Sequence, residues 1–251
     1  MSSSSPFPSL PVCQITIPSN DLINAAYFYT KEHTSEATVN HCLRCAAFSL
    51  LFIREFPPLA SAPIDLEAVV LSSLMHDMGW STTKSLLSTD KRFEVDGANI
   101  ARDFISRNAA ESGKWDAHRI QLLWDAIALH TTPSIAQHKQ PEVVAVALGI
   151  LADFLGPNLP LPGNPITVER YKEIVGAFPR AGFSDELVDT LCGLCRDKPQ
   201  TTFENFVSGF GKTYGLDGKG GGKEEWIKTC EDNEITKRLM GGLQACKQWD
   251  D

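Results

Sequence analysis

Apolar side chains recur every three or four residues through most of this chain, which is the spacing of amphipathic α-helices. The clearest stretch lies between Asp116 and His130, where Ile120, Leu123 and Ile127 share one helical face. The alternation of apolar and polar residues that is typical of strands is hard to find. The pattern predicts an all-α protein, with helices near 21–32, 35–54, 66–76, 95–106, 116–130, 142–155, 168–178, 184–196, 203–214 and 224–248, the last interrupted at Gly241-Gly242.

The domain organisation follows from these helices and the segments between them. Residues 1–20, rich in serine and proline, are predicted to form an irregular N-terminal strap. The proline-rich run 156–165 is the best boundary signal, but the helices after it are too small to enclose a separate core. We therefore predict one helical-bundle domain over 21–251, with a core at about 34–155 and a helical extension at 166–251.

Composition narrows the function classes. The chain is 43% hydrophobic and 22% charged, which is ordinary for a globular protein. A net charge of −8 argues against nucleic-acid and membrane partners, which bind clustered lysine and arginine, and no run approaches the roughly 18 to 20 apolar residues of a membrane span. Seven scattered cysteines predict reduced thiols, and the N-terminus lacks a leader pattern. We expect a cytoplasmic protein that acts on a small molecule.

Four ionisable residues lie within the most apolar helical runs. His76 and Asp77 are adjacent, and His41 and Asp153 lie in two other predicted helices. A charge isolated in apolar surroundings costs more free energy than one contact returns, so these groups require partners. Facing helices of a bundle can bring all four together, and two imidazoles with two carboxylates suit a divalent ion such as Zn, Fe, Mn or Co. The alternative is that each is a core polar residue or a helix cap with ordinary partners.

Several short motifs carry a resemblance to a known family. They are Asn40-His41-Cys42-Leu43-Arg44, Leu74-Met75-His76-Asp77-Met78-Gly79, Arg92-Phe93-Glu94-Val95-Asp96-Gly97-Ala98 and Lys198-Pro199-Gln200-Thr201-Thr202-Phe203. The order of a histidine, a His-Asp pair and a distant aspartate resembles the HD superfamily of metal-dependent hydrolases, which have a helical fold. The four motifs are similar to its fungal branch, which includes cyanamide hydratase.

The resemblance implies a metal held by His41, His76, Asp77 and Asp153. It implies one divalent transition metal, zinc first, with iron, manganese or cobalt as alternatives. Dinuclear relatives have further histidines between the pair and the last aspartate, where this chain has only His130 at the end of an apolar stripe. The implied reaction adds metal-activated water to a small substrate, as in the conversion of cyanamide to urea. A homo-oligomer is compatible with the sequence.

Other residues near these motifs are candidates for catalysis or substrate binding. We expect Asp77 or His130 to transfer protons, although a histidine at a helix C-terminus is equally explained by the helix dipole. Arg44 lies one turn after His41 and would meet a substrate phosphate or form an ion pair. The remaining candidates for the substrate pocket, for which solvated loops or helix caps are the alternative roles, are Lys84, Glu94 and Thr131.

Two alternative functions remain at the sequence level. The first is a phosphohydrolase acting on a nucleotide or another phosphate ester, for which the chain offers only Arg44, Lys84 and Arg92 as obvious cations. The second is a binding module that keeps the fold without turnover, which the presence of all four candidate ligands disfavours. The Cys-x-x-Cys pairs that begin at Cys42 and Cys192 lie in helical patterns, so we predict buried thiols there and no zinc ribbon.

Overall fold

The computed structural model describes residues 5–109 and 113–250. Within these residues the regular structure is helical and the only paired extended backbone is an isolated bridge between Leu10 and Ile15, which confirms the all-α prediction. The chain divides into two compact units, of which the first ends at Phe183 and the second continues from Ser184 and includes Thr89–Arg92. The helix at 168–177, predicted within the extension, therefore belongs to the first unit.

The first unit contains nine labelled helices in its described part. They are α1 (Asp21–His33), α2 (Glu36–Glu55), α3 (Pro57–Ala60), α4 (Leu66–Met75), α5 (Phe93–Asn108), α6 (Ala117–Ala128), α7 (Pro133–Ala136), α8 (Pro141–Leu155) and α9 (Val168–Ala177), with short 3-10 helices at His76–Trp80, Lys84–Leu86 and Gly156–Asn158. Side-chain oxygens fix where five of these helices, α1, α2, α4, α6 and α9, begin, because each oxygen accepts a hydrogen bond from a backbone N–H of the first turn. These caps are Asn20, Ser35, Asp65, Asp116 and Thr167.

Helices α2 and α8 pack closely at the centre of the first unit. A Cβ atom at Gly149 of α8 would lie 2.0 Å from Oγ of Ser49 and 2.6 Å from the backbone oxygen of Cys45, both in α2. The missing side chain thus sets the distance between the two helices that carry His41 and Asp153.

One window has the length and composition of a membrane span, contrary to the sequence prediction. It covers Pro141–Asn158 with a mean hydropathy of 1.2. Two charged residues, Glu142 and Asp153, lie within this stretch. Buried residues along α8 belong to the hydrophobic core, which explains the apolar run without a membrane.

The N-terminal segment has irregular structure and contributes to the same core. Phe7, Leu10 and Ile17 are buried there. Arg54 at the end of α2 donates hydrogen bonds to the backbone oxygens of Cys13 at 3.1 Å and Gln14 at 2.6 Å. These contacts hold the segment against the first unit.

The second unit contains α11 (Val207–Tyr214), α12 (Lys223–Asp232), α13 (Ile235–Cys246) and most of α10 (Phe183–Asp197), with 3-10 helices at Pro199–Thr201 and Lys247–Trp249. Trp226 forms its centre, because its ring stacks on Phe203 and its indole N–H donates to the backbone oxygen of Ser208 at 3.1 Å. The predicted interruption at Gly241-Gly242 is wrong. The helix breaks instead at Asn233, whose backbone and side-chain N–H groups both bond to the carbonyl of Thr229 and end α12.

All seven cysteines are free and six of them are buried, which confirms the predicted thiols. Burial is the ordinary environment for this small apolar side chain. No zinc ribbon is formed by the Cys-x-x-Cys pairs, because both lie inside helices, α2 and α10.

Gly149→Ala tests the contact between α2 and α8. The added methyl group would collide with the backbone of α2, so we expect the free energy of unfolding to fall by about 1–3 kcal/mol in urea titrations. Gly176→Ala in α9 is the matched control, because nothing lies within 4 Å of its added Cβ, and it should be neutral or stabilising by up to about 1 kcal/mol. Equal effects of the two substitutions would contradict this description of the core.

Candidate metal centre

The residues of the candidate site come from separate elements of the first unit. His41 lies in the second turn of α2, and His76 and Asp77 lie in the 3-10 helix that directly follows α4. Two glycines allow α5 to pack against this 3-10 helix. A Cβ atom at Gly79 would lie 1.7 Å from the backbone oxygen of Phe93, and one at Gly97 would lie 2.7 Å from the backbone oxygen of His76. The His-Asp pair is therefore held between α4 and α5.

Three side-chain atoms converge on one point. The Nε2 atoms of His41 and His76 are 3.2 Å apart, and the Oδ2 atom of Asp77 lies 3.0 Å from His76 Nε2 and 3.4 Å from His41 Nε2. Donors of one tetrahedral metal with ligand distances of about 2.1 Å are separated by about 3.4 Å. All three side chains are almost completely buried. The separations match those expected for ligands that share one ion.

The hydrogen bonds of the two imidazoles fix which nitrogen faces this point. Nδ1 of His76 lies 2.8 Å from the backbone oxygen of Ser73, and Nδ1 of His41 lies 2.6 Å from Oδ2 of Asp153. Both partners are acceptors, so both Nδ1 atoms carry the hydrogen in the neutral rings and both Nε2 lone pairs face each other. Two lone pairs at this distance repel unless a cation lies between them. A metal ion or a proton supplies that cation.

Asp77 provides the strongest test of whether a metal fits. Both of its carboxylate oxygens are buried. While both imidazoles are neutral, neither oxygen receives a hydrogen bond within the described parts of the chain, although His76 Nε2 lies 3.0 Å from Oδ2. Burial would raise the pKa of Asp77, but His76 and His41 outweigh burial and lower it, so the group is ionised. A buried carboxylate without hydrogen bonds is costly, and coordination to a metal removes that cost. The donors present thus fit a divalent ion.

Asp153 is placed on the far edge of His41, at Nδ1, whereas Nε2 faces the other candidate ligands. Its carboxylate also accepts hydrogen bonds from Arg44 and Arg180. Burial raises the pKa of Asp153, but its bonds to His41 and Arg44 lower it well below the usual range. A carboxylate behind a ligating histidine orients that ring and increases its basicity. Direct ligation by Asp153 stays a prediction from the family resemblance.

His130 lies beside Asp77. Its Nε2 atom is 3.8 Å from Oδ1 of Asp77, and its Nδ1 atom is 2.6 Å from the backbone oxygen of Ile127. That carbonyl accepts the Nδ1 hydrogen, which leaves a lone pair on Nε2 facing the site. Burial and the neighbouring His76 lower the pKa of His130 to about 4. The ring is therefore neutral near pH 7 and can accept a proton.

The predicted pocket residues fall into different positions. Glu94 is buried and accepts a hydrogen bond of 2.5 Å from the Thr131 hydroxyl, next to His130. Lys84 is exposed in its 3-10 helix. Arg44 has no exposed surface, so it lies inside the protein and does not form a pocket wall.

Two buried thiols flank the histidines. The possible ligand atoms form two groups in which all members lie within 4.8 Å of one another. One group contains His41, Cys45 and His76, and the other contains Cys42, His76 and Asp77. Burial raises the pKa of both thiols, and that of Cys45 most strongly. Only a thiolate binds a metal well, so a metal would have to displace a proton from either sulfur before that sulfur could serve as a ligand. The sulfur of Cys45 is 3.6 Å from both ring nitrogens of His41 and lies on the lone-pair axis of neither.

Sequence patterns gave no sign of two further residues at the site. Arg180 binds Asp153, and the ring of Phe183 stacks on His41 with centroids 4.5 Å apart. Both follow α9 in the run Phe178–Phe183, which has no helical periodicity and no charge cluster. Only the packing of this run brings the two side chains to the metal centre.

A separate cavity of about 480 Å³ lies elsewhere in the first unit. No candidate ligand lines it. Its walls include Asp21, Glu67 and Lys114, and it is therefore unrelated to the chemistry of His76 and Asp77. Two side chains next to the candidate ligands reach the surface. They are Phe154, whose ring centroid is 5.5 Å from that of His41, and Arg180.

Zinc should stabilise the protein more at pH 8 than at pH 6. Burial lowers the pKa of His76, but the Asp77 carboxylate outweighs burial and holds that pKa well above its usual range. In the absence of metal, a proton on His76 thus stabilises the folded state at low pH, and this contribution is lost as the pH rises through the raised pKa. Zinc must displace that proton. Thermal unfolding with and without zinc measures the effect, and a larger shift at pH 6 would contradict it.

Comparison with known proteins agrees with this geometry. The HD domain family matches residues 38–169, slightly more than half of the chain, and the match includes His41, His76, Asp77 and Asp153. No curated protein matches the chain significantly. HD domains generally occur in metal-dependent hydrolases. The chain belongs to the HD-domain family.

Proposed function

We propose that this protein is a metal-dependent enzyme that adds water to a small substrate, with cyanamide as the first candidate and urea as the product. The observation that carries the proposal is the buried Asp77 carboxylate, which lies beside two Nε2 atoms and receives no hydrogen bond in the described chain while both imidazoles are neutral. Zinc is the first candidate metal, held by His41, His76 and Asp77. Asp153, the fourth ligand that the family resemblance implies, contacts Nδ1 of His41 in this structure. A cytoplasmic location is part of the proposal, supported by seven free cysteines.

A divalent metal supplies Lewis acidity in such a site and lowers the pKa of water. The chain must then move protons. Hydration of cyanamide joins the water oxygen to the nitrile carbon, and the two water hydrogens end on the nitrile nitrogen. His130 is suited to this transfer, because Ile127 holds its Nδ1 hydrogen and its Nε2 lone pair faces Asp77. Glu94 and Thr131 lie next to that ring and support its position.

The surroundings of the site favour a small uncharged substrate. Arg44, one of three cations considered for phosphate binding, is buried and bonded to Asp153 and to backbone oxygens. Lys84 is exposed in a separate 3-10 helix. The aromatic rings of Phe154 and Phe183 contact His41. Apolar walls around a metal favour a compact substrate such as a nitrile.

The alternative function is hydrolysis of a phosphate ester. One observation favours it, because the guanidinium of Arg180 is 31% exposed beside Asp153 and its hydrogen bonds within the described structure all come from Nη1. Its other nitrogens are suited to a phosphate oxygen. This cation distinguishes the two proposals, since hydration of a neutral nitrile does not require it as an anion-binding group.

Metal analysis and a substrate panel test the proposal. Purified protein should contain about one equivalent of a divalent metal and release urea from cyanamide. His76→Ala and Asp77→Ala should remove both the metal and the activity, because each loses a candidate ligand. The panel also contains other nitriles, nucleotides and a generic phosphodiester. Turnover of phosphate esters alone would replace the hydratase proposal by the phosphohydrolase alternative.

His130→Ala should lower kcat for hydration by about 100- to 10,000-fold, the usual contribution of a positioned proton-transfer group. Its metal content should match that of the unsubstituted protein, because the proposal assigns His130 to proton transfer and not to the metal. The measurement combines steady-state kinetics with elemental analysis. Loss of metal from this variant would show that His130 serves as a ligand instead.

A further inference from the structure

The carboxylate of Asp153 has an unusual number of donors for a buried group. Arg44 donates from Nε to Oδ1 at 2.7 Å and from Nη2 to Oδ2 at 2.9 Å. Arg180 donates from Nη1 to Oδ1 at 2.8 Å, and His41 Nδ1 lies 2.6 Å from Oδ2. Both oxygens therefore have two partners. A carboxylate held by a bidentate fork and a second cation cannot rotate without breaking charged hydrogen bonds.

Arg44 is suited to hold a fixed position. It has no exposed surface, and its remaining terminal nitrogen, Nη1, donates to the backbone oxygens of Phe178 and Pro179, each at 3.0 Å. A fully buried ion pair is a poor source of stability, because apolar residues of similar volume often stabilise as well or better. What the pair provides instead is orientation, because the planar guanidinium of Arg44 fixes the position of the Asp153 carboxylate.

The run Phe178–Phe183 brings further groups to the same place. Arg180 bonds to Asp153 and, at 3.0 Å, to the hydroxyl of Tyr171. The Phe183 ring stacks on His41, and the Arg44 guanidinium lies 5.4 Å from the centre of that ring. One segment thus contacts both His41 and Asp153, and the hydrogen bonds of Arg44 tie this segment to α2.

We propose that Arg44 and Arg180 are positioning residues of the metal centre. They hold the Asp153 carboxylate so that it accepts the Nδ1 hydrogen of His41, and His41 then presents Nε2 toward His76 and Asp77. The inference rests on the proposed metal centre and adds two residues to it. Partners behind a ligand commonly change metal affinity 10- to 100-fold.

Zinc affinity measures this role without any substrate. The full-length protein, Arg44→Lys and Arg180→Gln are titrated in competition with a chromophoric chelator, and each is loaded with cobalt to record its visible spectrum. We expect Arg44→Lys to bind zinc about 10- to 100-fold more weakly, because lysine cannot form the bidentate pair. Arg180→Gln should lose about tenfold. Both should shift the cobalt bands, which report ligand geometry.

Arg119→Met is the matched control. Arg119 lies in α6 of the same unit and also binds two carboxylates, those of Asp65 at 2.5 Å and Glu67 at 2.9 Å, while its guanidinium covers the Trp115 ring at 4.1 Å. None of these groups contacts the candidate ligands in the described structure. This variant should lose stability and keep the zinc affinity of the unsubstituted protein.

Several outcomes would overturn the inference. One is that Arg44→Lys and Arg180→Gln fold and bind zinc within about twofold of the unsubstituted protein. Another is that Arg119→Met loses as much zinc affinity as they do. If Arg44→Lys does not fold, Arg180→Gln decides, since its side chain is 31% exposed and its loss leaves no buried charge on the arginine side. Failure of the unsubstituted protein to bind zinc or cobalt would refute the proposed function itself, and is recognised before any variant is compared.

Discussion

The structure depends on the free-energy cost of burying one carboxylate. Asp77 is ionised inside the protein, and two imidazole nitrogens converge beside it. While both imidazoles are neutral, neither oxygen of Asp77 receives a hydrogen bond in the described chain. Either a proton on His76 or a metal ion can offset that cost. A proton satisfies one pair of atoms, whereas a metal satisfies all three.

The fold provides that arrangement through small residues and buried cations. Gly149 brings α8 next to α2, and Gly79 and Gly97 bring α5 against the 3-10 helix of the His-Asp pair. The carboxylate on α8 is fixed behind His41 by the buried Arg44. Close helix packing and fixed hydrogen bonds limit how far each imidazole can move. A rigid site of this kind favours ligation of a small ion over adaptation to a large substrate.

The sequence predicted the fold class because helical periodicity is a local property. It pointed to the HD family through the order of His41, the His76-Asp77 pair and Asp153, which resembles that family and which the family match includes. The roles of these residues stay predictions. Long-range features could not be read from the sequence. The contribution of Arg180 depends on how the run after α9 packs, and the burial of Arg44 depends on α8. Gly241-Gly242 was wrongly read as a break, because glycine lowers helix propensity without excluding a helix, whereas the hydrogen bonds of Asn233 end α12.

The central claim is that His41, His76 and Asp77 hold one metal ion. Anomalous diffraction from crystals grown with zinc, recorded on both sides of the zinc absorption edge, tests it most directly. We expect a single strong peak about 2.0–2.2 Å from the Nε2 atoms of both histidines and from a carboxylate oxygen of Asp77. The same map shows whether Asp153 binds the ion directly or only forms a hydrogen bond with His41. Zinc-soaked crystals with no peak at this point, and with His76 hydrogen-bonded to Asp77 instead, would contradict the account.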